Sequence, residues 1–107
     1  MGKVYFITDG NYIKIGYTAG SVHRRLNQLK TGSPCQLYLL GYIDGTQKTE
    51  HELHIRFGKY RIRTDGEWFE GADEIIEYIN AVNQHPNVYV ERNAFCNNQI
   101  MTLLKVS

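Results

Sequence analysis

The sequence predicts an α+β fold: a small mixed or antiparallel three-stranded central sheet in a β-β-α-β-α core, with helices packed against it. Three observations carry this expectation. Residues 3–16 hold two short apolar runs around Asp9-Gly10, the pattern of a hairpin. Residues 21–32, 47–57 and 73–83 each place apolar side chains at helical spacing. Between the first two of these lies a continuous apolar run at residues 35–43.

Val4, Phe6, Tyr12, Ile13 and Ile15 are residues that pack well on a pleated surface. Asp9-Gly10 between them predicts a two-residue type I′ turn, because glycine accepts positive φ. Ser21 is placed to cap a helix in which Val22, Leu26 and Leu29 recur at i, i+4 and i+7. Gly32 is expected to end that helix in the left-handed C′ conformation. Arg25 borders the buried stripe and can reach over the hairpin, whereas Arg24 faces solvent.

Ser33-Pro34 breaks the chain, and residues 35–43 are apolar on both faces, which suits a central strand. Asp44-Gly45 turns into a helix over residues 47–57, where Glu50, Leu53 and Phe57 share one side at i, i+3 and i+7. A carboxylate on or near a core-facing side needs a partner. Residues 59–63 alternate like a short extended segment, 64–66 form a turn, and Trp68 and Phe69 are expected in the core. Ile75, Ile76, Ile79 and Val82 mark a third helix, opened by acidic residues that suit its dipole. Residues 88–90 read as a late strand, while 100–106 fit strand or helix equally.

Length and composition bound the rest. The 107 residues are expected to form one domain, with no internal repeat or dividing linker. No apolar run approaches the ~20 residues of a membrane span. No apolar segment of the secretory type follows Lys3, so cytoplasmic residence is the default expectation. A net charge of +1, from 12 Lys and Arg against 11 Asp and Glu, argues against binding nucleic acid through bulk charge alone. The charge is nevertheless uneven. Residues 14–30 carry Lys14, His23, Arg24, Arg25 and Lys30 without an acid, and residues 54–63 carry His54, Arg56, Lys59, Arg61 and Arg63 without one. A basic face of this kind is what a phosphate backbone needs. Cys35 and Cys96 lack metal-binding spacing and are expected as free thiols in or near the core. His51 and His54 beside Glu50 and Glu52 lack the third and fourth ligands that zinc requires.

Tyr5, Lys14, Tyr17 and Arg25 are expected to converge on one side of the unit formed by residues 3–25. Lys3-Val4-Tyr5, Lys14-Ile15-Gly16, the segment Val22-His-Arg-Arg25-Leu26, and Glu50-x-x-Leu53-His54-x-x-Phe57 followed by Gly66-Glu-Trp68-Phe69 occur in that order. Together these pieces resemble the GIY-YIG nuclease superfamily, and more closely its T5orf172 or MUG113-like branch of small phage and bacterial proteins. The resemblance covers roughly residues 3–80 and leaves 81–107 as a C-terminal extension.

This resemblance implies an endonuclease that hydrolyses DNA phosphodiester bonds with one Mg²⁺ or Mn²⁺ ion per site. Tyr5 would be the general base or a phenol positioning the nucleophile; a phenol ordinarily titrates near ~10 and needs a nearby cation to act at neutral pH. Lys14 stands where most of the superfamily has its second tyrosine, and would supply that cation. Arg25 would bind the scissile phosphate. Glu50 would hold the metal, as a hard cation takes few protein ligands and keeps several waters. Tyr17 and His54 are supporting candidates, and Arg24, Lys30 and Arg56 join Lys14 and Arg25 as nucleic-acid contacts. The alternative is a catalytically weak or inactive module that binds nucleic acid or protein with the same fold. In either case a homodimer or a partner protein would add specificity.

Overall fold

Alternation along the first two strands sorts their side chains between two packed layers. The structure is a computed structural model that describes residues 2–64 and 66–85, together with the backbone of two further short strands at 88–90 and 104–106. In chain order the elements are β1 (Lys3–Thr8), β2 (Tyr12–Thr18), α1 (Val22–Thr31), β3 (Tyr38–Asp44), α2 (Gln47–Arg56), β4 (Trp68–Glu70), α3 (Asp73–Val82), β5 (Val88–Val90) and β6 (Leu104–Val106). The main sheet runs β3-β1-β2-β4 with every neighbouring pair antiparallel, and β5 pairs with β6 in a separate ribbon.

Val4 and Phe6 of β1, with Ile13 and Ile15 of β2, face α2 and α3, meeting Leu53, Phe57, Ile75, Ile76 and Ile79. Tyr5 and Ile7 point the other way, against Val22 and Leu26 of α1. The sheet is therefore covered on both faces. Ser21 caps α1 by accepting from the Arg24 N–H at 3.3 Å, and Thr46 forms a capping box with Thr49 at the start of α2.

The α+β class is as expected, but the sheet has four strands rather than three. The fourth, β4, extends the sheet beside Tyr12–Lys14 of β2. A three-residue strand gives too short an alternation to be legible, and its aromatics read only as core. Residues 59–63 are not an extended segment: Gly58–Tyr60 is a 3-10 turn, followed by a single bridge between Arg61 and Phe69.

β3 occupies an edge and not the centre. Its apolar character on both faces follows from the two helical layers, and its outer edge is closed by a side chain. Asn83 accepts from the Tyr42 N–H at 3.0 Å and donates to the Leu40 carbonyl at 3.3 Å, mimicking a neighbouring strand. Gly41 makes room for that amide, since a Cβ there would lie 2.4 Å from it.

Two turn expectations also differ. The β1–β2 connection is three residues long, not two, and Gly10 has φ 103°. Asp9 Oδ1 accepts from the N–H groups of Asn11 and Tyr12, each at 2.9 Å, so an Asx turn replaces the type I′ turn. Gly32 ends α1 at φ −96°, outside the left-handed region, with its N–H on the Lys30 carbonyl. Cys35 is exposed, because the strand starts only at Tyr38; Cys96 lies outside the described residues. Of residues 100–106, the described part, 104–106, is strand. No helix among the described residues is long and apolar enough to cross a membrane.

Candidate functional site

Tyr5 lies opposite Gly16 in the β1–β2 register and is 1 % exposed. Lys14 is two residues before Gly16 and therefore on the same sheet face, a diagonal neighbour of Tyr5. That face is the one α1 covers. Arg25 lies on α1 at i+3 from Val22 and is adjacent to Leu26, both buried in that layer, and is itself half-buried. Its guanidinium donates to Gln28 at a long 3.4 Å. Tyr5, Lys14 and Arg25 thus belong to one layer.

Tyr17 does not join them. It is paired with Val4 and packs against the core on the α2–α3 side. A shift of one strand residue changes the face, and Tyr17 is an odd number of residues from both Lys14 and Gly16.

Tyr5 rests directly over Gly16, where a Cβ would fall 2.4 Å from its hydroxyl. Gly16→Ala is expected to push the phenol aside inside a filled core and to destabilise the protein by about 1–3 kcal/mol. A lowered urea midpoint with unchanged slope checks this, and an unshifted midpoint would show that the ring has room to move.

Lys14 Nζ is 3.1 Å from Glu67 Oε1 and 5.4 Å from the centre of the Trp68 ring. Glu67 is held by its own backbone, whose carbonyl accepts from the Ile15 N–H at 3.0 Å. Glu50 approaches the same edge from the start of α2. Burial raises its carboxyl above the ordinary range, the Glu67 carboxylate raises it further, and Lys14 is among the groups that oppose the shift. Glu50 makes no side-chain hydrogen bond or ion pair among the described residues.

His54 plays another part. Its Nε2 is 2.8 Å from the Ile15 carbonyl, and its Nδ1 lies 3.4 Å from the Arg61 guanidinium. Arginine only donates, so in this contact Nδ1 accepts, and Nε2–H donates to the carbonyl. Arg61 is anchored by its Nε–H to the Gly66 carbonyl at 2.7 Å. With both ring nitrogens engaged, His54 is a tether from α2 to β2 that holds Glu50, one turn earlier, beside Lys14.

Arg24 and Lys30 are exposed on α1. Arg56 is elsewhere: its guanidinium lies 5.2 Å from the Phe57 ring centre and 4.7 Å from that of Tyr78, in the α2–α3 layer. The structure does not bring it together with the α1 cations. Sequence reasoning quoted the Gly66-Glu-Trp68-Phe69 motif yet did not select Glu67, and it left Arg61 among the general basic residues. The acid next to the aromatic pair was the available signal for Glu67. Nothing in the spacing pointed to Arg61, whose partner is seven positions away.

Glu50 is the residue that could hold a hard divalent cation here. Glu50 offers an unpartnered carboxylate, with Glu67 adding negative charge nearby. Among the described residues no group of three or more His, Cys, Asp or Glu is gathered as a metal cluster. Such a cation would therefore keep most of its waters.

Compared with known protein families, residues 2–84 match the model of the T5orf172 domain. No curated protein and no solved structure matches the chain.

Proposed function

Since the chain belongs to the T5orf172 domain family, which is linked to nuclease-like and DNA-binding proteins, we propose that it is a metal-dependent endonuclease hydrolysing DNA phosphodiester bonds. The observation that carries this reading is that Tyr5, Lys14 and Arg25 share the sheet face covered by α1, while Glu50 of α2, on the opposite layer, lies close enough to Lys14 and Glu67 to feel both charges.

Each residue has a role that its surroundings support. Glu50, together with water, would hold Mg²⁺ or Mn²⁺, and the chemistry supplied there would be that of a Lewis acid toward the phosphoryl oxygens. Arg25 offers a planar guanidinium whose only side-chain bond among the described residues is long, so it is available to a phosphate as a fork of donors. Tyr5 directs its hydroxyl over Gly16 and is the phenol that would position the attacking water. Lys14 adds positive charge on the same sheet face and is itself positioned by Glu67. Arg24 and Lys30 continue the cationic surface along α1 toward the backbone of the nucleic acid. A second copy of the chain or a partner protein provides the choice of site.

A second reading, a nucleic-acid-binding module without hydrolytic activity, is favoured by the Lys14–Glu67 ion pair, which engages the cation standing in the place of the usual tyrosine. Incubation with supercoiled plasmid separates the two. The nuclease reading expects nicked or linear product with Mg²⁺ or Mn²⁺ and none with EDTA. Salt-dependent binding with no product under any metal condition would establish the second reading instead.

A further inference from the structure

Beside the candidate site, and on the same face of β2, the structure has an open cavity of about 270 Å³ lined by Asp9, Tyr12, Ile62, Arg63, Gly66 and Trp68. Its walls are mainly apolar, and two of them are large side chains left at the surface: Tyr12 is 43 % exposed and Ile62 45 % exposed. Tyr12 and Lys14 alternate onto one face of β2, and Trp68 pairs with Lys14 across the strand boundary. The cavity therefore continues the row that begins with Tyr5 and Lys14, out to the β4 edge.

We propose that this cavity receives one unpaired nucleobase of the nucleic acid whose backbone lies over Lys14 and Arg25. The inference rests on the reading of the chain as a nucleic-acid-processing protein and names the form of nucleic acid it takes: single-stranded or locally opened.

Four features select a base over other occupants. The volume lies just below the range of pockets that hold drug-sized ligands, which suits a single flat ring system. Tyr12 and Trp68 supply aromatic surface, and aromatic side chains are the usual stacking partners of splayed-out bases. Asp9 Oδ1 is used by the turn, but its second oxygen has no bond among the described residues and is an acceptor for an exocyclic amino group. The surroundings are charged on one side: Lys14 Nζ, paired with Glu67, stands 5.4 Å from the Trp68 ring centre, and Arg63 and Asp9 form part of the wall. A base in the cavity therefore leaves its phosphate next to the two cations and not in apolar surroundings. A wholly apolar ligand would gain nothing from that side.

Trp68 is the chain's one tryptophan, so its fluorescence reports occupancy directly. The test is a titration in EDTA with a short single-stranded oligonucleotide, compared with a strand of equal length built of abasic residues and with the same sequence as a closed duplex. The expected result is strong quenching by the base-containing strand, and at least about fivefold weaker binding by the abasic strand and the duplex. Tyr12→Ala and Ile62→Ala alter exposed side chains and retain Trp68; each is expected to weaken the base-containing strand by a similar factor and to leave the abasic strand unchanged. Equal affinity for base-containing and abasic strands, or for wild type and both variants, overturns the proposal. Because no metal is present, this failure is distinct from a failure to cleave plasmid.

Discussion

Glu50→Gln is expected to lower Mg²⁺-dependent cleavage by about 10³-fold, on the order of 4 kcal/mol of barrier, without weakening the fold. Glutamine preserves the size of the side chain and removes the charge that would hold the cation. It also removes a charge that the native state tolerates poorly, since burial and Glu67 both raise the Glu50 carboxyl. The native protein therefore binds this proton more tightly than the unfolded chain does. Stability from that source is complete below the ordinary carboxylate range and is lost as pH rises through the raised value. Urea unfolding of wild type should show this loss, and the variant should lack it. The same shift places the acid limb of cleavage above the usual carboxylate range, because the proton competes with the cation. A variant that cuts at the wild-type rate, or one that loses activity only because it unfolds, would remove Glu50 from the site.

Arg25→Ala is expected to lower the cleavage rate by about 10²- to 10³-fold, the usual effect of deleting one donor to developing negative charge. Stability should change by less than about 0.5 kcal/mol, since the side chain is half-buried and its bond to Gln28 is long. Arg25→Lys should restore only part of the rate, because an ammonium lacks the planar fork that grips two phosphate oxygens. Single-turnover cleavage, with melting followed in parallel, checks the three proteins. Full activity in Arg25→Lys would show that charge alone suffices there. Full activity in Arg25→Ala would move the phosphate contact to Arg24 or Lys30.

Much of this arrangement was legible in the sequence because it depends on local periodicity. Val22, Leu26 and Leu29 announced α1 and put Arg25 beside its buried stripe; Leu53 and Phe57 did the same for α2 and Glu50. Strand alternation also contained the information that Tyr17 faces away from Lys14, since the two differ by an odd number of positions. The expectation that Tyr5, Lys14, Tyr17 and Arg25 converge on one side fails at Tyr17, which the sheet separates from Lys14.

What stayed hidden depends on pairings between distant segments. β4 has only three residues, and its place beside β2 is fixed by the Ile15–Glu67 backbone bond and the Lys14–Glu67 ion pair. Closure of the β3 edge by Asn83 joins residues some forty positions apart, so an apolar edge strand imitates a central one. His54 illustrates the same limit at the site. Its helical spacing from Glu50 was readable, but its role as a tether to the Ile15 carbonyl required the sheet and helix to be seen together. Trp68 was expected in the core with Phe69. Phe69 is fully buried, whereas Trp68 is half-buried and lines a cavity, because adjacent strand residues face opposite sides.

The proposed site depends above all on Glu50 holding a divalent cation near Lys14. Titration of Mn²⁺ followed by electron paramagnetic resonance, on wild type and on Glu50→Gln in the presence of a non-hydrolysable DNA analogue, tests it most directly. The expected result is saturable uptake of a single ion per chain by wild type and its loss in the variant. Equal uptake by both proteins, or none by wild type, would contradict the claim.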